Sequence, residues 1–414
     1  HDPACADADG LGCGGQMPDH HRSRGAANAR HAVMFGNPIA RETKAFGMLH
    51  HIGGIRDCAA YIAAFFYGNQ IEQRIFCHIC DDGDAARLCQ ELIQILARLI
   101  QMPHGFRMSL IATLTMNPSL DVTTSVDRVR PTDKLRTGAL RHDPGGGGIN
   151  VARVLHELGG ETLAIFPGSG PSAMTIDRLL SERGVPFQLV PIAQQTRESF
   201  TVDETSSGEQ FRFVLPGPKL APEEYQACLD ALAELPETPE IVVFSGSLPT
   251  GTTPRLPQQV CAWCQKIGAK LIVDMSGPLL REIHGAFLLK PNRRELEMLA
   301  GRDLTSDDEI VAAARDLSSD GVANAVVVSL DEDGAFLVTA DETHKYAPLE
   351  VKVESAVGAG DSMVAGIALG LVQGKQLPGA VKIGMVSSAA ALVTSGSELV
   401  KRSDFERLLV EYQE

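Results

Sequence analysis

Near the end of the 414-residue chain stands the stretch Val357-Gly358-Ala359-Gly360-Asp361-Ser362. The small residues Gly358, Ala359 and Gly360 permit a tight turn and leave backbone N–H groups uncovered. Apolar residues then recur at helical spacing, which predicts a helix over Asp361 to Gln373. A glycine turn that opens a helix binds anions, because free N–H groups and the helix dipole both favour negative charge. The stretch therefore predicts a phosphate site.

Asp361 lies in the first turn of that predicted helix, beside whatever phosphate binds there. A carboxylate in this position suits a base that deprotonates an acceptor hydroxyl while the neighbouring amides stabilise the transferring phosphoryl group. The alternative is a glycine-rich turn followed by an aspartate of the kind favoured at helix starts. For an isolated GxGD pattern that alternative is the better interpretation, so the other motifs of the chain decide between the two.

Composition and charge narrow the classes of function. The chain is 44% hydrophobic and 21% charged, as in a globular protein, and it is long enough for two average domains or one large domain with an appendage. Its net charge of −15 argues against general binding of nucleic acid or anionic lipid. No apolar run approaches the ~20 residues of a membrane span. We expect small-molecule substrates, no nucleic-acid or membrane partner, and a cytoplasmic location.

The first 107 residues differ from the rest of the chain. They hold six of the nine cysteines and eight of the twelve histidines, and residues 1–54 have the poor periodicity expected of disorder. Cys77-His78-Ile79-Cys80 could ligate zinc in a fused metal-binding module, but no second CxxC pair follows at finger spacing, so reduced thiols are the better interpretation. An orderly pattern begins at Met108. We therefore expect 1–107 to be an extension, disordered or non-native, and 108–414 to be the catalytic domain.

From there onward, short apolar runs typical of buried strands alternate with helical patterns. Ser109 to Thr115 is the first such run, and Ala325 to Leu330 is the last strongly buried one. Polar residues follow the strands, at the edge where open α/β sheets bind ligands. The alternation predicts a doubly wound, mostly parallel sheet. An extended segment at about 122–141 and a β-hairpin at about 197–215 break the rhythm, and together they predict a separate small sheet.

Several motifs carry polar groups that suit a sugar or a phosphate. Asp121 follows the first predicted strand, and Asn150 lies in the first turn of a helix that the four glycines Gly145–Gly148 introduce. Consecutive glycines permit close approach of the backbone to a ligand, and the Asn150 amide could then reach a hydroxyl group. Lys134 and Arg136 share one side of a predicted strand and could hold a phosphate, although alone they are more typical of a solvated face.

A second helix start carries groups that suit a metal ion. Lys290-Pro291-Asn292 leads into this helix, and Glu295 follows three residues after Asn292. That spacing places an amide and a carboxylate on one face, and Mg²⁺ prefers such oxygen ligands while keeping several waters. A capping box fits the same spacing and, without context, is the better interpretation.

These motifs, in this order, resemble those of the ribokinase-like sugar kinases of the PfkB family. The resemblance extends from about Ile111 to Leu399, and each of its motifs is modestly specific. The motifs that carry it are Pro118–Asp121, Lys134–Arg136, Gly145–Arg153, Arg197, Ser245–Pro249, Lys290–Asn292 with Glu295, and Gly358–Met363. The resemblance implies a ribokinase-like α/β domain with a small β-sheet lid, usually shared in a homodimer.

The resemblance also implies an activity, the phosphorylation of fructose 6-phosphate at its 1-hydroxyl with ATP and Mg²⁺, and a role for each matching residue. Asp361 would be the base, with the amides of Gly358, Ala359 and Gly360 as the anion hole. The residues implied at the sugar hydroxyls are Asp121, Gly146, Gly147 and Asn150. Those implied around the 6-phosphate are Lys134, Arg136, Arg197 and Ser247. Those implied at the nucleotide are Lys290, Asn292, Ser329, Gly334, Gly358 and Gly360, and those implied at Mg²⁺, through water, are Asn292 and Glu295.

The choice of sugar rests largely on one position. Relatives that act on fructose 1-phosphate or tagatose 6-phosphate typically have lysine in the glycine motif where this chain has Gly147, which favours fructose 6-phosphate. A kinase for tagatose 6-phosphate or another sugar phosphate is an alternative. A catalytically weak sugar-phosphate-binding regulator is another, although a binder has no need of Asp361 as base. The family often binds K⁺ at the loop corresponding to Gly396 and Ser397, and the sequence leaves K⁺ dependence open.

Three positions depart from the pattern of the family. Ala356 replaces a threonine, Asp331 replaces a glycine, and Thr394 replaces an asparagine. Asp331 adds negative charge beside the expected place of the ATP phosphates or ribose. None of the three touches the phosphoryl chemistry, so they bear on nucleotide affinity rather than on the reaction.

Overall fold

The structure is a computed structural model that describes residues 61–67, 70–76, 109–394 and 398–412. Contacts divide the chain into two compact units, His1–Met102 and Pro103–Glu414. The Cys77–Cys80 pattern, interpreted as reduced thiols rather than a zinc site, and the Gly396–Ser397 loop, for which K⁺ binding was left open, lie outside the described residues. Among the described helices, none has both the length and the apolar character needed to span a membrane.

In the first unit, strands β1 (Tyr61–Tyr67) and β2 (Gln70–Phe76) form an antiparallel hairpin. The strands of the second unit are β3 (Ile111–Leu114), β4 (Ser119–Val126), β5 (Arg141–Gly145), β6 (Thr162–Gly168), β7 (Phe187–Pro191), β8 (Arg197–Glu204), β9 (Gln210–Val214), β10 (Ile241–Ser245), β11 (Lys270–Asp274), β12 (Ala286–Leu289), β13 (Ala323–Ser329), β14 (Ala335–Thr339) and β15 (Thr343–Tyr346). Its described helices are α1 (Gly147–Glu157), α2 (Gly170–Glu182), α3 (Pro222–Ala233), α4 (Arg255–Ile267), α5 (Arg293–Ala300), α6 (Asp307–Ser319), α7 (Ala359–Val372), α8 (Leu377–Leu392) and α9 (Arg402–Glu411).

The larger sheet of the second unit has nine strands in the order β15-β14-β13-β12-β11-β10-β3-β6-β7. The pairs from β13 to β7 are parallel, and only β14 and β15 join antiparallel. The chain proceeds outward from β3 on one side and from β10 on the other, so the strand order reverses between these two strands. The carboxyl ends of strands at such a reversal form the ligand crevice of open α/β sheets.

Both faces of this sheet are covered, which explains why its strands are continuously apolar. In β10, Val242 and Phe244 belong to a core with Leu232 of α3, whereas Val243 belongs to the opposite core with Val364 of α7. Helices on both faces bury alternate side chains of each strand. The doubly wound, mostly parallel sheet predicted from the sequence is confirmed.

The two segments that interrupted the strand–helix rhythm form a second sheet, with the order β5-β4-β8-β9. In this small sheet β4 and β8 are parallel, and the other pairs are antiparallel. One expectation is wrong, because the strand predicted across Lys134 and Arg136 is absent: β4 ends at Val126 and β5 begins at Arg141. Pro131 cannot donate to a strand ladder, and Thr132 has a left-handed φ of 68°, so the chain turns away from the sheet.

Candidate active site

A cavity of about 210 Å³ opens beside the small sheet and reaches the first turn of α7. Strands of the small sheet contribute one part of its wall, and the starts of α1 and α7 contribute another. Of the residues predicted from the sequence, those that line this cavity are Asp121, Gly146, Asn150, Arg197, Gly358 and Asp361. Residues far apart in the chain thus meet at one site.

The turn into α7 has the conformation that its glycines predict. Gly358 has a φ of 74°, in the left-handed region, and a Cβ there would collide with Leu399. The helix begins at Ala359, two residues before the predicted start. The N–H groups of its first turn have no carbonyl partner within the helix, and that of Ala359 makes only a long bond of 3.5 Å to the Ala356 carbonyl oxygen. The turn can therefore donate to an anion beside Asp361.

Asp361 is half-buried at the inner end of the cavity, with one carboxylate oxygen already engaged. The Asn150 amide Nδ2 donates to Asp361 Oδ2 over 2.9 Å. Removal from water raises the pKa of Asp361 to about 7, and the Asp274 carboxylate acts in the same direction, while Asn150, Lys290 and Arg153 oppose the rise. A carboxyl group with a pKa near neutrality is suited to general-base catalysis.

Gly147 allows α1 to begin directly against this carboxylate. Its preceding residue Gly146 has a φ of 116°, a conformation that side chains other than glycine rarely adopt. A Cβ on Gly147 would collide with Ser245 Oγ and would lie 2.8 Å from the Gly246 nitrogen and 3.1 Å from Asp361 Oδ1. The N-termini of α1 and α7, each with a positive dipole end, consequently converge on Asp361.

We expect Gly147→Ala to lower kcat/KM by about 100-fold or more, because the added methyl group must displace α1 from the end of β10, and misplacement by about 1 Å has this effect on catalysis. The assay is turnover under saturating nucleotide. Gly379→Ala in the first turn of α8 is the matched control, since a Cβ there meets nothing closer than Lys375 Cβ at 3.7 Å. Turnover of Gly147→Ala equal to that of the control would contradict this view of the packing.

Of the basic side chains predicted for the other end of the cavity, Arg197 lies there. Arg197 bridges two loops, with Nη2 donating to the Asn117 carbonyl oxygen and Nη1 to the Leu215 carbonyl oxygen, both over 3.1 Å. Ser247 lies beside it, and its Oγ accepts a bond of 3.1 Å from Asn117 Nδ2. Arg197 Nε is buried and has no hydrogen-bond partner among the described residues. Arg197 thus lines the cavity while one of its donors is left without a protein acceptor in the described part of the chain.

Two arginines that the sequence reasoning missed also line the cavity, Arg141 at the start of β5 and Arg212 in β9. Lys134 and Arg136 do not line it; they lie on the exposed segment 127–140. The alternation of Arg212 with apolar neighbours in its strand was the available signal, but which face of a hairpin meets a cavity depends on tertiary packing.

Beyond Asp361, a buried ion pair marks the end of the site near Gly360. Lys290 is 4% exposed, and its Nζ lies 3.1 Å from Asp274 Oδ1. Burial alone lowers the pKa of Lys290, but Asp274 and Glu295 outweigh it and hold the pKa above its ordinary value. Asp274 is a further residue that the sequence reasoning missed, although the last residue of a strand at the ligand edge of the sheet is a recognisable signal.

Asn292 and Glu295 form the capping box that was the plainer interpretation of their spacing. Asn292 Oδ1 accepts from the Glu295 nitrogen, and Glu295 Oε2 accepts from the Asn292 nitrogen, both over 2.9 Å. Burial raises the pKa of Glu295, and the Asp274 carboxylate adds to the rise. Within the described ranges, no group of three or more acidic, histidine or cysteine side chains is placed to hold a metal ion.

Ser329 and Gly334, which the resemblance assigns to the nucleotide, flank the turn after β13. Ser329 ends β13 and forms an isolated parallel bridge with Asn292. Gly334 has a φ of 87°, and a Cβ there would collide with the Tyr346 carbonyl oxygen. Between them, Asp331 has a φ of 51°. The departure from the family pattern thus puts an aspartate where the backbone adopts a conformation typical of glycine.

We expect Asp331→Gly to lower the KM for ATP by roughly two- to fivefold, the range of an exposed charge interaction of up to ~1 kcal/mol. Its thermal stability should change little, because relief of the left-handed backbone offsets the greater chain entropy of glycine. Steady-state kinetics with varied ATP provides the measurement. Asp331→Asn isolates the charge and should lower the KM equally, whereas an unchanged KM in both variants would contradict the expected repulsion.

Comparison with known proteins agrees with this arrangement. The family model for pfkB family carbohydrate kinases matches residues 114–402. The ATP-dependent 6-phosphofructokinase isozyme 2 of Mycobacterium tuberculosis is 48% identical over 298 residues, which cover 72% of this chain and 88% of the relative. The enzyme of the same name from Escherichia coli is 39% identical over 301 residues, covering 72% of this chain and 97% of the relative.

The solved structures agree in fold. The Escherichia coli phosphofructokinase-2 in complex with fructose-6-phosphate superposes with a TM-score of 0.69 at 37% identity, covering 74% of this chain and 100% of that chain. Arabidopsis thaliana ribokinase, complexed with ribose and ATP, has a TM-score of 0.59 at 18% identity over 73% of this chain and 98% of that chain, which shows the ribokinase-like fold alone. The match to the family model spans more than half of the sequence, and this chain therefore belongs to the pfkB family of carbohydrate kinases.

Proposed function

We propose that this protein is an ATP-dependent 6-phosphofructokinase, which transfers the terminal phosphoryl group of ATP to the 1-hydroxyl of fructose 6-phosphate in glycolysis. The observation that carries this proposal is the position of Asp361. Its carboxylate, with a pKa of about 7, lies in the first turn of α7 at the inner end of the cavity. Arginine side chains line the other end of that cavity. Identity of 48% to an enzyme of that name supports the choice of reaction.

Asp361 would act as the general base. Its Oδ2 is held by Asn150, so Oδ1 is the oxygen that accepts the proton of the 1-hydroxyl as that hydroxyl oxygen attacks the terminal phosphorus of ATP. The proton stays on the carboxyl group while the bond from phosphorus to the leaving oxygen of ADP breaks. The N–H groups of Gly358 to Gly360 would donate to the charge that spreads over the phosphoryl oxygens.

The sugar phosphate would lie in the cavity between this base and the arginines. Ser119 Oγ donates to Asp121 Oδ1 over 2.7 Å and would orient that carboxylate toward the sugar hydroxyls. Gly146 and Asn150 line the same cavity, and Gly147 lies between them in the chain. The groups proposed for the 6-phosphate are Arg197, Ser247, Arg141 and Arg212. Lys134 and Arg136 stay sequence predictions, since segment 127–140 would have to approach the cavity to reach a phosphate.

The nucleotide would bind next to the turn at Gly358, and its phosphates would lie beside Gly360. The residues proposed to border it are Lys290, Asn292, Ser329 and Gly334. Mg²⁺, when bound with ATP, would neutralise phosphate charge. Asn292 and Glu295 would hold such an ion through water, since oxygen donors are those that Mg²⁺ prefers, and Asp274 adds negative charge close to Glu295.

Fructose 6-phosphate is favoured over tagatose 6-phosphate by the packing at Gly147. Because a Cβ at that position would collide with Ser245 Oγ, the site has no room for the lysine that relatives with other sugars carry there. The regulator alternative is disfavoured by Asp361, because a binding protein gains nothing from a desolvated carboxyl group held beside an anion hole.

The test is an ADP-release assay on the full chain with Mg-ATP. Initial rates with fructose 6-phosphate, tagatose 6-phosphate and fructose 1-phosphate would be compared by kcat/KM. We expect a preference for fructose 6-phosphate. A preference for another sugar would overturn the substrate and retain the mechanism, and a folded protein without turnover on any of them would support the regulator.

We infer further that two copies pair through the small sheet. Its β9 end carries exposed apolar side chains, with Phe213 55%, Val214 64% and Leu215 50% accessible. This strand is the edge of the small sheet, and an exposed sheet edge with apolar side chains is a place where another chain can pair. Among described residues outside this sheet, Val410 of α9 is comparably exposed at 61%, which provides a matched control.

We expect the protein to sediment at twice the chain mass and Val214→Glu to weaken the dimer by about 10-fold or more, since burial of one valine contributes ~1.5 kcal/mol or more. Val410→Glu should leave the dimer intact. Analytical ultracentrifugation over a range of concentrations measures both. A monomeric wild-type protein, or equal effects of the two substitutions, would contradict pairing through β9.

We propose that residues 1–107 lie outside the catalytic domain, since the family match begins at residue 114. A cytoplasmic location would suit a kinase that consumes ATP and a glycolytic sugar phosphate.

A further inference from the structure

Behind the proposed base lies a buried arginine that the reaction described above does not use. Arg153 of α1 is 8% exposed. Its Nη1 donates to Asn150 Oδ1 over 3.1 Å and to the Pro144 carbonyl oxygen over 3.0 Å. Arg153 therefore contacts the residue that contacts Asp361, without lining the cavity itself.

The chemistry of the three groups determines how the Asn150 amide is oriented. A guanidinium group has only donors, so Arg153 must face the amide oxygen of Asn150. The amide NH₂ then faces the Asp361 carboxyl group and donates to its Oδ2. A rotated amide would bring NH₂ against the guanidinium and oxygen against the carboxylate, which loses both hydrogen bonds and replaces them with repulsion.

Arg153 is itself held by a carboxylate of the small sheet. Asp143 of β5 has a side chain only 2% exposed, and it lies 3.8 Å from Arg153 Nη2. Arg141 and Arg183 pair with the same carboxylate, at 3.0 Å and 3.1 Å. A continuous path of polar contacts thus joins the small sheet to the base, from Asp143 through Arg153 and Asn150 to Asp361.

We propose that Arg153 is a positioning residue of the active site: held by Asp143, it keeps the Asn150 amide in the orientation that donates to Asp361 Oδ2 and leaves Oδ1 for the acceptor hydroxyl. This inference rests on the proposed function of Asp361 as base. It assigns to the last residue of the glycine motif, Gly145–Arg153, a task in the reaction.

The charges around Asp361 determine what loss of Arg153 does to proton transfer. Lys290 lowers the pKa of Asp361 from beside β12, and Asp274 raises it from the end of β11. From α1, Asn150 and Arg153 both lower it. Removal of Arg153 takes away its own charge and frees the amide of Asn150 to rotate, so the pKa of Asp361 rises. Because the base works only when deprotonated, activity is then lost at a higher pH on the acidic side.

The experiment compares Arg153→Met with Arg183→Met in the full chain. Each substitution removes one ion-pair partner of the Asp143 carboxylate, but of the two arginines only Arg153 contacts Asn150. We expect the acidic limb of the pH profile of kcat/KM to move up by about one pH unit in Arg153→Met and to stay at the wild-type position in Arg183→Met. At pH 7 the first variant should lose about fivefold in kcat/KM, and it should recover most of that loss near pH 9.

Two further variants separate positioning from folding. Arg153→Met removes one of the positive charges that balance the buried Asp143 carboxylate. The double variant Asp143→Asn with Arg153→Met removes both charges, and it should fold and show the same displacement of the acidic limb of the pH profile. Arg153→Lys keeps a charge without the fork of donors and should show a smaller displacement. Circular dichroism verifies folding of each variant.

An acidic limb that stays in place in a folded Arg153→Met or in the double variant would overturn the proposal, as would an equal displacement in Arg183→Met. If the wild-type protein phosphorylates no sugar phosphate, the proposed function fails instead. The carbon-13 titration of the Asp361 carboxyl in the same variants then reports the displacement without turnover, so the two failures are distinguishable.

Discussion

Asp361→Asn is expected to abolish turnover while both substrates still bind. Asparagine has nearly the shape of aspartate and accepts the hydrogen bond that Asn150 donates to Oδ2, so the cavity keeps its form. The amide cannot take the proton of the 1-hydroxyl. Positioned proton transfer contributes about 100- to 10,000-fold, and kcat should fall at least by the lower figure.

Calorimetric titration with fructose 6-phosphate and with a non-hydrolysable ATP analogue measures binding, and ADP release measures turnover. Asp316→Asn on the exposed face of α6 is the control, with wild-type values expected in both measurements. A loss of only a fewfold in kcat would show that Asp361 is not the base. A loss of sugar binding together with turnover would make it a ligand of the sugar instead.

The same substitution is expected to stabilise the ligand-free protein at alkaline pH. The pKa of Asp361 is raised from 3.8 to about 7, so folding disfavours its charged form. The folded protein holds this proton between those two pH values while the unfolded chain has released it, and stability therefore falls as the pH rises through that interval. A pKa difference of one between the folded and unfolded states corresponds to ~1.4 kcal/mol. Because the pKa of Asp361 rises from 3.8 to about 7, its ionisation above pH 7 lowers the free energy of unfolding by about 4 kcal/mol.

Urea unfolding of wild-type protein and Asp361→Asn at pH 5 and pH 8.5 provides the measurement. The variant should gain several kcal/mol at pH 8.5 and clearly less at pH 5, where the wild-type carboxyl group is still protonated in the folded state. Equal stability of the two proteins at pH 8.5 would contradict the desolvation of Asp361. A gain confined to the alkaline side would show that the site keeps its base at the expense of stability.

The sequence predicts a feature well when the residues that determine it lie close together in the chain. The turn at Gly358 and the glycines before α1 are local signals, since a left-handed φ or an absent Cβ is required of one residue by its immediate neighbours. The apolar runs of the buried strands are local as well. Together they specify a parallel sheet whose loops meet at one edge, which is why Asp121, Asn150 and Asp361 are brought to one cavity as expected.

The errors concern groups whose roles depend on contacts distant in the chain. A strand through Lys134 and Arg136 has acceptable periodicity, but Pro131 and the left-handed Thr132 divide the segment before it. Arg212 was missed because only the pairing of β8 with β9 turns its face toward the cavity. The pattern of polar residues does not reveal such a contact until the small sheet is assembled.

Asn292 and Glu295 illustrate a different limit. Their spacing serves equally for a capping box and for oxygen ligands on one helix face, and the structure has both hydrogen bonds of the box. Asp274 then lies close enough to act electrostatically on Glu295, a proximity that depends on the pairing of β11 with β12. The spacing alone could not predict this neighbour, on which a magnesium role for Glu295 depends.

Phosphoryl transfer to the 1-hydroxyl of fructose 6-phosphate should depend on Asp361 at this site. Phosphorus-31 NMR of a reaction of the full chain with Mg-ATP and fructose 6-phosphate tests it most directly. We predict that ADP and fructose 1,6-bisphosphate form in equal amounts with wild-type protein, and that neither forms at a comparable rate with Asp361→Asn. Release of inorganic phosphate without a bisphosphate, or a bisphosphate formed equally fast by Asp361→Asn, would contradict the account.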